Sequence, residues 1–576
     1  MNAVSKSASV GSSRRSTPTR SRRPRLAVDR LEARDNPSGN ISATQVGGLL
    51  ILTGDDLDNR VQIRNVNTSE RLTTVTVTGL DGTTIDKLGT KKFEKVQSLR
   101  VVLKGGNDLV TADPAAEGFA FSGPVAIDLG NGNNELNLDP AGRLFAGRLT
   151  VTAGDGDDSV FINGNPVSQQ GDSVNHMSFN LGHGSSNVSL NSFHSLGQLR
   201  MTAGDGSDSL SLNNVELDIA NATGKFAPLM AKTGNGALSV ALSGTTKTGA
   251  VTLTARGDVL LNMNGASTGP VDAIAGPHAT SEVDIHGTSA VNGNLTVRGN
   301  SANLDIGTGD VLKVTGNASV MGAAGASIAN AGTVTIARGL TVQATTGDAM
   351  AIAAAGTEMT VGGNMLISGA NHVQASFSST GPSEVKGNAT IRGGPSEDSV
   401  DIGDQFKVGK NLSISLAGGA DHVHIFGPAT APGVGGNLSI ATGAGADEIV
   451  LDRVSVNGKT SVSTGTGADH LAIESGSTFT GVTTIDLGSG NDALDIATSA
   501  GTAGPVTFTG KLTANLGDGN DTLALGMAGA GDNGNVVFKA TGNKFDAGPG
   551  MDLFDPQVGQ FDSAKVSLTS FTDPTP

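Results

Sequence analysis

The chain has 576 residues, of which 83 are glycine, while cysteine, tryptophan and tyrosine are absent. A formal net charge of −16 opposes phosphate backbones, so no nucleic-acid partner is predicted. The lack of cysteine excludes a disulfide framework and thiolate metal sites. No apolar stretch approaches the roughly eighteen residues of a membrane helix, so no transmembrane segment is predicted either.

Residues 1–36 are rich in serine, arginine and proline and have no apolar periodicity, which predicts a disordered basic arm. Within this arm, the basic run Arg22-Arg23-Pro24-Arg25 precedes Leu31-Glu32-Ala33-Arg34. The segment resembles the N-terminal leader of planctomycete exported surface proteins, in which a basic stretch precedes a Leu-Glu-x-Arg motif. The resemblance implies export to the cell surface or the extracellular space. The alternative is a solvated basic tail.

Residues 37–95 contain short alternating runs separated by Gly-Asp-Asp and Leu-Asp-Gly turn signals. The runs are Leu49 to Thr53, Val61 to Arg64 and Thr73 to Thr78. They predict a cap of β-hairpins at the N-terminal end of the fold.

A frame of the form apolar-x-Gly, often followed by asparagine, then recurs every 22 to 29 residues. Its leading apolar residues are Val291, Val314, Ile336, Val361, Val385, Val408, Val434, Val456, Phe479 and Phe508. Apolar residues spaced by two indicate strands, and this period is typical of one coil of a solenoid. The sequence therefore predicts an all-β, right-handed parallel β-helix over 96–554, with coils of about 22–30 residues. Residues 555–576 are predicted to form a C-terminal cap and tail.

Many coils also carry a Gly-x-Gly-x-Asp turn, as in Gly443 to Asp447 and Gly465 to Asp469. The turns divide the solenoid into an Asp-rich block at 96–240, a neutral block at 241–392 and a second Asp-rich block at 393–554. They resemble the RTX, or haemolysin-type, calcium-binding repeat Gly-Gly-x-Gly-x-Asp-x-apolar-x, although the first glycine is usually replaced and the copies are not in tandem. The resemblance implies calcium ligands at Asp108, Asp155, Asp158, Asp205, Asp208, Asp421, Asp447, Asp469, Asp492, Asp518, Asp521 and Asp552.

Stacking of the coils would place these carboxylates about 5 Å apart, where like charges repel by roughly 1 kcal/mol even in water. Bridging calcium ions would offset this repulsion. The alternative is that each Asp forms an Asx turn and its charge is solvated at the surface. His422, Glu448 and His470 follow the Asp of three successive coils, which suggests either a zinc or copper site or exposed neighbours with no joint role.

The sequence favours a noncatalytic, exported structural or adhesive repeat protein that binds calcium. Its other expected partners are polysaccharide of the cell surface or matrix, or other surface proteins. One alternative is a polysaccharide lyase or hydrolase on a β-helix scaffold. Against it, the chain has no tryptophan or tyrosine to stack on sugars, and its acidic residues recur rather than form one distinctive cluster. The other alternative is a structural rod without metal.

Overall fold

A computed structural model describes the chain over 39–69, 72–113, 118–139, 143–164, 173–195, 197–219, 224–353, 358–378, 381–427, 433–474, 476–499, 504–527, 535–556 and 561–572. The predicted basic arm at 1–36 lies outside the described residues. The described part consists of strands and one 3-10 helix, and its parallel coils form a β-solenoid of about 17 turns. The predicted all-β parallel β-helix is confirmed.

The strands of the cap and of the first Asp-rich block come first in the chain. They are β1 (Asn40–Val46), β2 (Leu49–Thr53), β3 (Arg60–Ser69), β4 (Leu72–Gly79), β5 (Thr84–Ile85), β6 (Thr90–Val96), β7 (Ser98–Val102), β8 (Leu109–Ala112), β9 (Gly118–Asp128), β10 (Glu135–Leu138), β11 (Arg143–Thr152), β12 (Ser159–Asn163), β13 (Ser173–Val174), β14 (Met177–Asn180), β15 (Asn187–Asn191), β16 (His194–Ser195), β17 (Leu199–Thr202), β18 (Asp208–Asn213), β19 (Glu216–Leu217), β20 (Leu229–Lys232) and β21 (Leu238–Ser243).

The strands of the neutral block follow. They are β22 (Val251–Thr254), β23 (Val259–Asn264), β24 (Ser267–Thr268), β25 (Val271–Ile274), β26 (Thr280–His286), β27 (Thr288–Val291), β28 (Leu295–Ile306), β29 (Val311–Val314), β30 (Ala318–Asn330), β31 (Thr333–Ile336), β32 (Leu340–Ala344), β33 (Asp348–Ala353), β34 (Glu358–Val361), β35 (Met365–Gly369), β36 (Val373–Phe377), β37 (Ser383–Val385) and β38 (Ala389–Arg392).

The second Asp-rich block and the C-terminal cap complete the set. Their strands are β39 (Ser399–Ile402), β40 (Phe406–Val408), β41 (Leu412–Ser415), β42 (His422–Phe426), β43 (Leu438–Ala444), β44 (Glu448–Asp452), β45 (Ser455–Val456), β46 (Thr460–Thr466), β47 (His470–Ile473), β48 (Thr478–Phe479), β49 (Thr483–Ser489), β50 (Ala493–Ile496), β51 (Val506–Phe508), β52 (Leu512–Asn515), β53 (Thr522–Leu525), β54 (Val536–Phe538), β55 (Asn543–Asp546), β56 (Leu553–Pro556) and β57 (Val566–Thr569), and the 3-10 helix spans Ser563–Lys565.

Each coil supplies up to three strands, and each strand pairs in parallel with its counterpart in the next coil. Strands β43, β44 and β45, for example, pair with β46, β47 and β48. The offset between paired residues of neighbouring coils ranges from 20, between Val251 and Val271, to 31, between Thr522 and Leu553. The predicted coil length of about 22–30 residues is therefore correct to within two residues at the lower end and one at the upper end.

The apolar-x-Gly frame marks the short third strand of the coil. Val291, Val314, Ile336, Val361, Val385 and Val408 lie in consecutive register, and all are buried. In the later coils phenylalanine takes this position, and the rings of Phe479, Phe508 and Phe538 stack with centroids 5.1 and 5.7 Å apart. The frame therefore repeats because each copy packs on the copy before it.

Both ends of the solenoid differ from its coils. At the N-terminal end, β1 and β2, β3 and β4, and β4 and β6 pair antiparallel, which confirms the predicted hairpin cap. At the C-terminal end β57 pairs in parallel with β55, and Phe561 and Phe571 contact Phe554. The final coil is thus covered by apolar side chains.

Candidate metal-binding column

Close stacking of the turns explains their glycines. Gly443 and Gly445 adopt φ angles of 104° and 149°, which L-residues with a side chain rarely adopt. A Cβ on Gly445 would lie 1.6 Å from the carbonyl oxygen of Gly419 in the coil before it. A side chain at this position would therefore push neighbouring turns apart.

The Asp that ends each turn points into the solenoid. We call these ten residues the Asp column, and all are at most 2% exposed: Asp108, Asp158, Asp208, Asp398, Asp421, Asp447, Asp469, Asp492, Asp521 and Asp552. Asn134 and Ser186 occupy the equivalent position in two coils of the first block, and both are buried. The alternative in which these charges are solvated at the surface is wrong, because the position faces the core.

One carboxylate oxygen of each column Asp accepts a hydrogen bond from the coil before it. The backbone N–H of Asp447 donates to Oδ1 of Asp469 at 2.9 Å, and that of Asp469 donates to Oδ1 of Asp492 at 2.9 Å. The same bond joins every pair from Asp398 to Asp552, with distances of 2.8 to 2.9 Å. The column therefore links successive turns through side chain and backbone.

The second oxygen, Oδ2, is buried in all ten column Asp residues and has no hydrogen-bond partner among the described residues. Asn134 shows what this second atom faces. Its Oδ1 accepts from the N–H of Asp108, as in the Asp coils, and its Nδ2 donates to the carbonyl oxygens of Gly130 and Gly132 at 3.2 and 2.9 Å. From the shared orientation we infer that each Oδ2 of the Asp coils faces the carbonyls two and four residues before it, so that acceptors face acceptors.

Burial makes the charged form of these carboxyl groups unfavourable. Desolvation raises the pKa of Asp108, Asp158, Asp208, Asp398 and Asp492 to about 6. It raises the pKa of Asp421 to about 7, with smaller contributions from the charges of Asp398 and Asp447. Hydrogen bonds from backbone N–H groups oppose the shift. These six carboxyl groups therefore take up protons at a higher pH than an ordinary Asp does, unless another positive charge replaces the proton.

From the end of the first Asp-rich block through the neutral block, the same register position holds buried apolar residues and one buried serine. Through successive strand pairs it passes from Asp208 to Leu238, Val259, Ser281, Ala302, Ala326, Ala349 and Val373. The N–H of Val373 then donates to Oδ1 of Asp398, where the column resumes. In the middle of this block β28 and β30 run through the corner as continuous strands instead of forming a glycine turn.

The other predicted ligands lie on the outside of the turns. Asp155, Asp205 and Asp518 are exposed, and so is Asp157. Asp205 accepts from the N–H and side-chain amide of Asn235 at 2.8 and 3.0 Å. These acids therefore belong to a surface row that is separate from the buried column, and the structure does not gather the two sets around one point.

Among the described residues, side chains bring three or more metal-ligating atoms within 4.8 Å of one another in three clusters, and none includes a column Asp. The clusters are His194 with Glu216 and Asp218, Glu282 with Asp284 and Asp305, and Asp401 with His422 and His424. A cation in the column would therefore need backbone carbonyls as well as carboxylates.

The three side chains His422, Glu448 and His470 lie in register but do not converge. Nδ1 of His422 is 3.2 Å from Oε2 of Glu448, whereas His470 turns to Asp495 at 3.0 Å. Asp398 and Asp401 were missed because the turn before them reads Gly393-Gly-Pro-Ser-Glu-Asp398 and lacks the Gly-x-Gly spacing. The signal that could have found them is the spacing of 23 residues between Asp398 and Asp421, which is one coil.

Comparisons with protein-family models, curated proteins and solved structures find no match. In the part of the chain that the structure describes, no helix has the length and apolar character needed to cross a membrane.

Proposed function

We propose that the chain is a noncatalytic structural or adhesive rod, exported to the cell surface or exterior, whose Asp column binds calcium. The observation that carries the calcium proposal is the set of ten buried Oδ2 atoms that lack a donor. A buried acceptor that faces other acceptors is unfavourable unless a proton or cation lies between them.

The oxygen atoms of the column suit a hard cation. Each turn offers Oδ2 and, by comparison with Asn134, two backbone carbonyls, so two neighbouring turns offer about six oxygens, within the range that calcium prefers. The ion would supply the positive charge that offsets the desolvation of the carboxylates. Asp398 to Asp552 form the longest run of neighbouring Asp residues. We place the ions between its members Asp421 and Asp552, because each of these has a glycine two residues before it.

The architecture supports the role of a rod. A solenoid grows by stacking identical contacts and presents long, repetitive faces, which suit polysaccharide or other surface proteins as partners. The leader motif supports export. Calcium that crosslinks the coils would stiffen such a rod where the ion is abundant.

Thermal unfolding of the full chain at pH 8, in EDTA and in millimolar calcium with magnesium as control, tests the calcium proposal. At a calcium concentration 100 times the dissociation constant, each occupied site is expected to add about 3 kcal/mol to the free energy of unfolding. Superimposable melting curves would contradict calcium binding and leave a metal-free rod.

The chain itself suggests the matched variant. In Asp469→Asn and Asp492→Asn the new amide should donate to the turn carbonyls as Asn134 does. We expect the double variant to lose part of the calcium response while remaining at least as stable as the wild type in EDTA at pH 8, because a partnered amide replaces an unpartnered carboxylate. A full calcium response in this variant would place the ions elsewhere.

A second candidate is a polysaccharide-active enzyme, favoured by one cluster in the neutral block. Glu282, Asp284 and Asp305 lie on adjacent strands, and desolvation raises the pKa of each carboxyl group, as general acid catalysis requires. Release of reducing or unsaturated ends from polysaccharides by the wild type, lost in Asp305→Asn, would establish this activity. Asp284 and Asp305 line a groove together with Ile285, His286 and Ile306 among others, but among the described residues no phenylalanine, tyrosine or tryptophan lines it to stack on a sugar, so the structural role is preferred.

A further inference from the structure

We propose that Asp401, His422 and His424 form a binding site for a divalent transition metal ion, zinc or copper, on the outer face of the solenoid. The proposal is independent of calcium and of the Asp column. It adds to the chain a site of different chemistry, with nitrogen ligands that calcium does not favour.

The fold places the three ligands on two neighbouring strands. His422 and His424 alternate with buried Val423 and Ile425 on β42, so both imidazoles point outward. Asp401 on β39 is the direct register partner of His424. The ligand atoms of the three side chains lie within 4.8 Å of one another.

The distance between His422 and Asp401 suits two ligands of one metal ion better than a direct hydrogen bond. Nε2 of His422 is 3.9 Å from Oδ1 of Asp401, which is too long for a hydrogen bond. Two ligands of a tetrahedral zinc ion, each 2.0–2.2 Å from the metal, lie about 3.4 Å apart. Both side chains are about 40% exposed, at 40% and 43%, so small rotations can close the difference.

Neighbouring residues already hold the ligands in a suitable orientation. Glu448 contacts Nδ1 of His422 at 3.2 Å, which fixes the tautomer with Nε2 free to bind a metal. The hydroxyl of Ser399, the register partner of His422, donates to Oδ2 of Asp401 at 3.4 Å. Glu448 is therefore a positioning residue and not a ligand.

The site also has room for a further ligand. Asp401 and His424 line an open groove of about 560 Å³, together with Ser376, Asp404 and Gln405 among others. Three protein ligands with an open position form the arrangement in which zinc keeps a water molecule or binds an external group. In the described residues no lysine or arginine pairs with Asp401, whereas Lys247 pairs with Glu216 in the cluster around His194.

Calorimetric titration of the full chain with zinc, in excess calcium at pH 7.5, tests the proposal. We expect one zinc ion per chain at this site, with binding lost in Asp401→Asn, His422→Ala and His424→Ala. Glu448→Gln should weaken binding about tenfold, as is typical when a partner of a metal-bound histidine is removed. Melting temperatures in EDTA check that each variant folds. If an alanine variant does not fold, the isosteric Asp401→Asn still tests the site.

His194→Ala and His470→Ala are the matched controls, since both histidines lie on the same kind of outward strand position and contact carboxylates. Both should bind zinc as the wild type does. Copper, which binds nitrogen sites more tightly than zinc, should give an electron paramagnetic resonance spectrum with couplings to two imidazoles, and each histidine variant at the site should remove one. Absence of zinc binding by the wild type, or binding that survives all three ligand substitutions, would overturn the proposal.

Discussion

One inward-facing position of the coil is occupied by two different kinds of residue in two regions of the same chain. In the neutral block it holds residues such as Ala302, Ala326 and Val373, which are buried in the apolar core. In the second Asp-rich block it holds carboxylates such as Asp469, which are equally buried and receive one hydrogen bond from the preceding coil. Since the coils stack in both blocks, the fold itself does not require the Asp.

The comparison separates the two oxygens of the carboxylate. Elsewhere in the solenoid, uncharged Asn side chains make the same kind of hydrogen bond between coils as Oδ1 of the column Asp, and we call these bonds the neutral ladder. Oδ1 of Asn411 accepts the N–H of Asn437 at 2.9 Å, and Oδ1 of Asn294 accepts the N–H of Asn317 at 3.0 Å. An amide or an apolar residue is thus sufficient for stacking. Compared with these residues, each column Asp carries an additional charged oxygen, Oδ2, that has no donor among the described residues. This oxygen is the reason that a cation or proton is needed there.

Moving a carboxylate into the neutral block should have the largest effect. Ala326→Asp places a charge in a continuous strand that has no glycine turn to supply carbonyls or a free N–H, so we expect a loss of about 3–5 kcal/mol in the free energy of unfolding at pH 8. Denaturant unfolding measures this loss, and Ala326→Asn separates charge from size. If Ala326→Asp were as stable as the wild type, the Asp turns would not be needed to tolerate a buried carboxylate.

The pH dependence of stability should be the next largest effect for each carboxyl group. In the folded chain Asp492 keeps its proton up to about pH 6 and Asp421 up to about pH 7, whereas these groups in the unfolded chain release their protons near pH 3.8. Because the folded state binds more protons between these values, the free energy of unfolding in EDTA should fall as pH rises from about 4 to 7. Each group whose pKa is raised to about 6 contributes up to roughly 3 kcal/mol.

Melting temperatures in EDTA from pH 5 to pH 8 check this sign. Substitution of Asp469 and Asp492 by Asn should flatten the profile. A melting temperature that rises over this range would mean that the column is charged and already stabilised without a cation.

The neutral ladder should give the smallest effect. Asn411→Ala removes one exposed hydrogen bond between coils, which corresponds to about 1 kcal/mol or less. Its melting temperature in EDTA and in calcium should fall by the same small amount at every pH. A change in melting temperature that depends on calcium would show that the neutral ladder and the Asp column are coupled.

Most of the fold follows from periodicity. The frame that begins at Val291 marks the third strand of each coil, because apolar residues at a fixed spacing can be buried only against their own copies. The stretches where β28 and β30 run through a corner were less predictable. There the corner is made by a register shift next to Gly299, which leaves no recognisable turn sequence.

The candidate site was predictable in part. The recurrence of Asp421, Asp447 and Asp469 identified a column. Whether its side chains point into the core or toward solvent depends on whether the last residue of the turn starts the series of inward-facing residues in the following strand. That detail is geometric, so the sequence could not separate buried Asp469 from exposed Asp518. The cluster at Asp401 was hidden for another reason, since it joins residues from coils whose turns differ in sequence.

The most direct measurement is a crystal structure of the full chain grown at pH 8 in calcium, with anomalous data to locate the ions. We predict ions 2.3–2.6 Å from Oδ2 atoms between Asp421 and Asp552, with backbone carbonyls completing their coordination. A column without ions, in which each Oδ2 lies about 2.6 Å from a turn carbonyl in the manner of a protonated acid, would contradict this prediction.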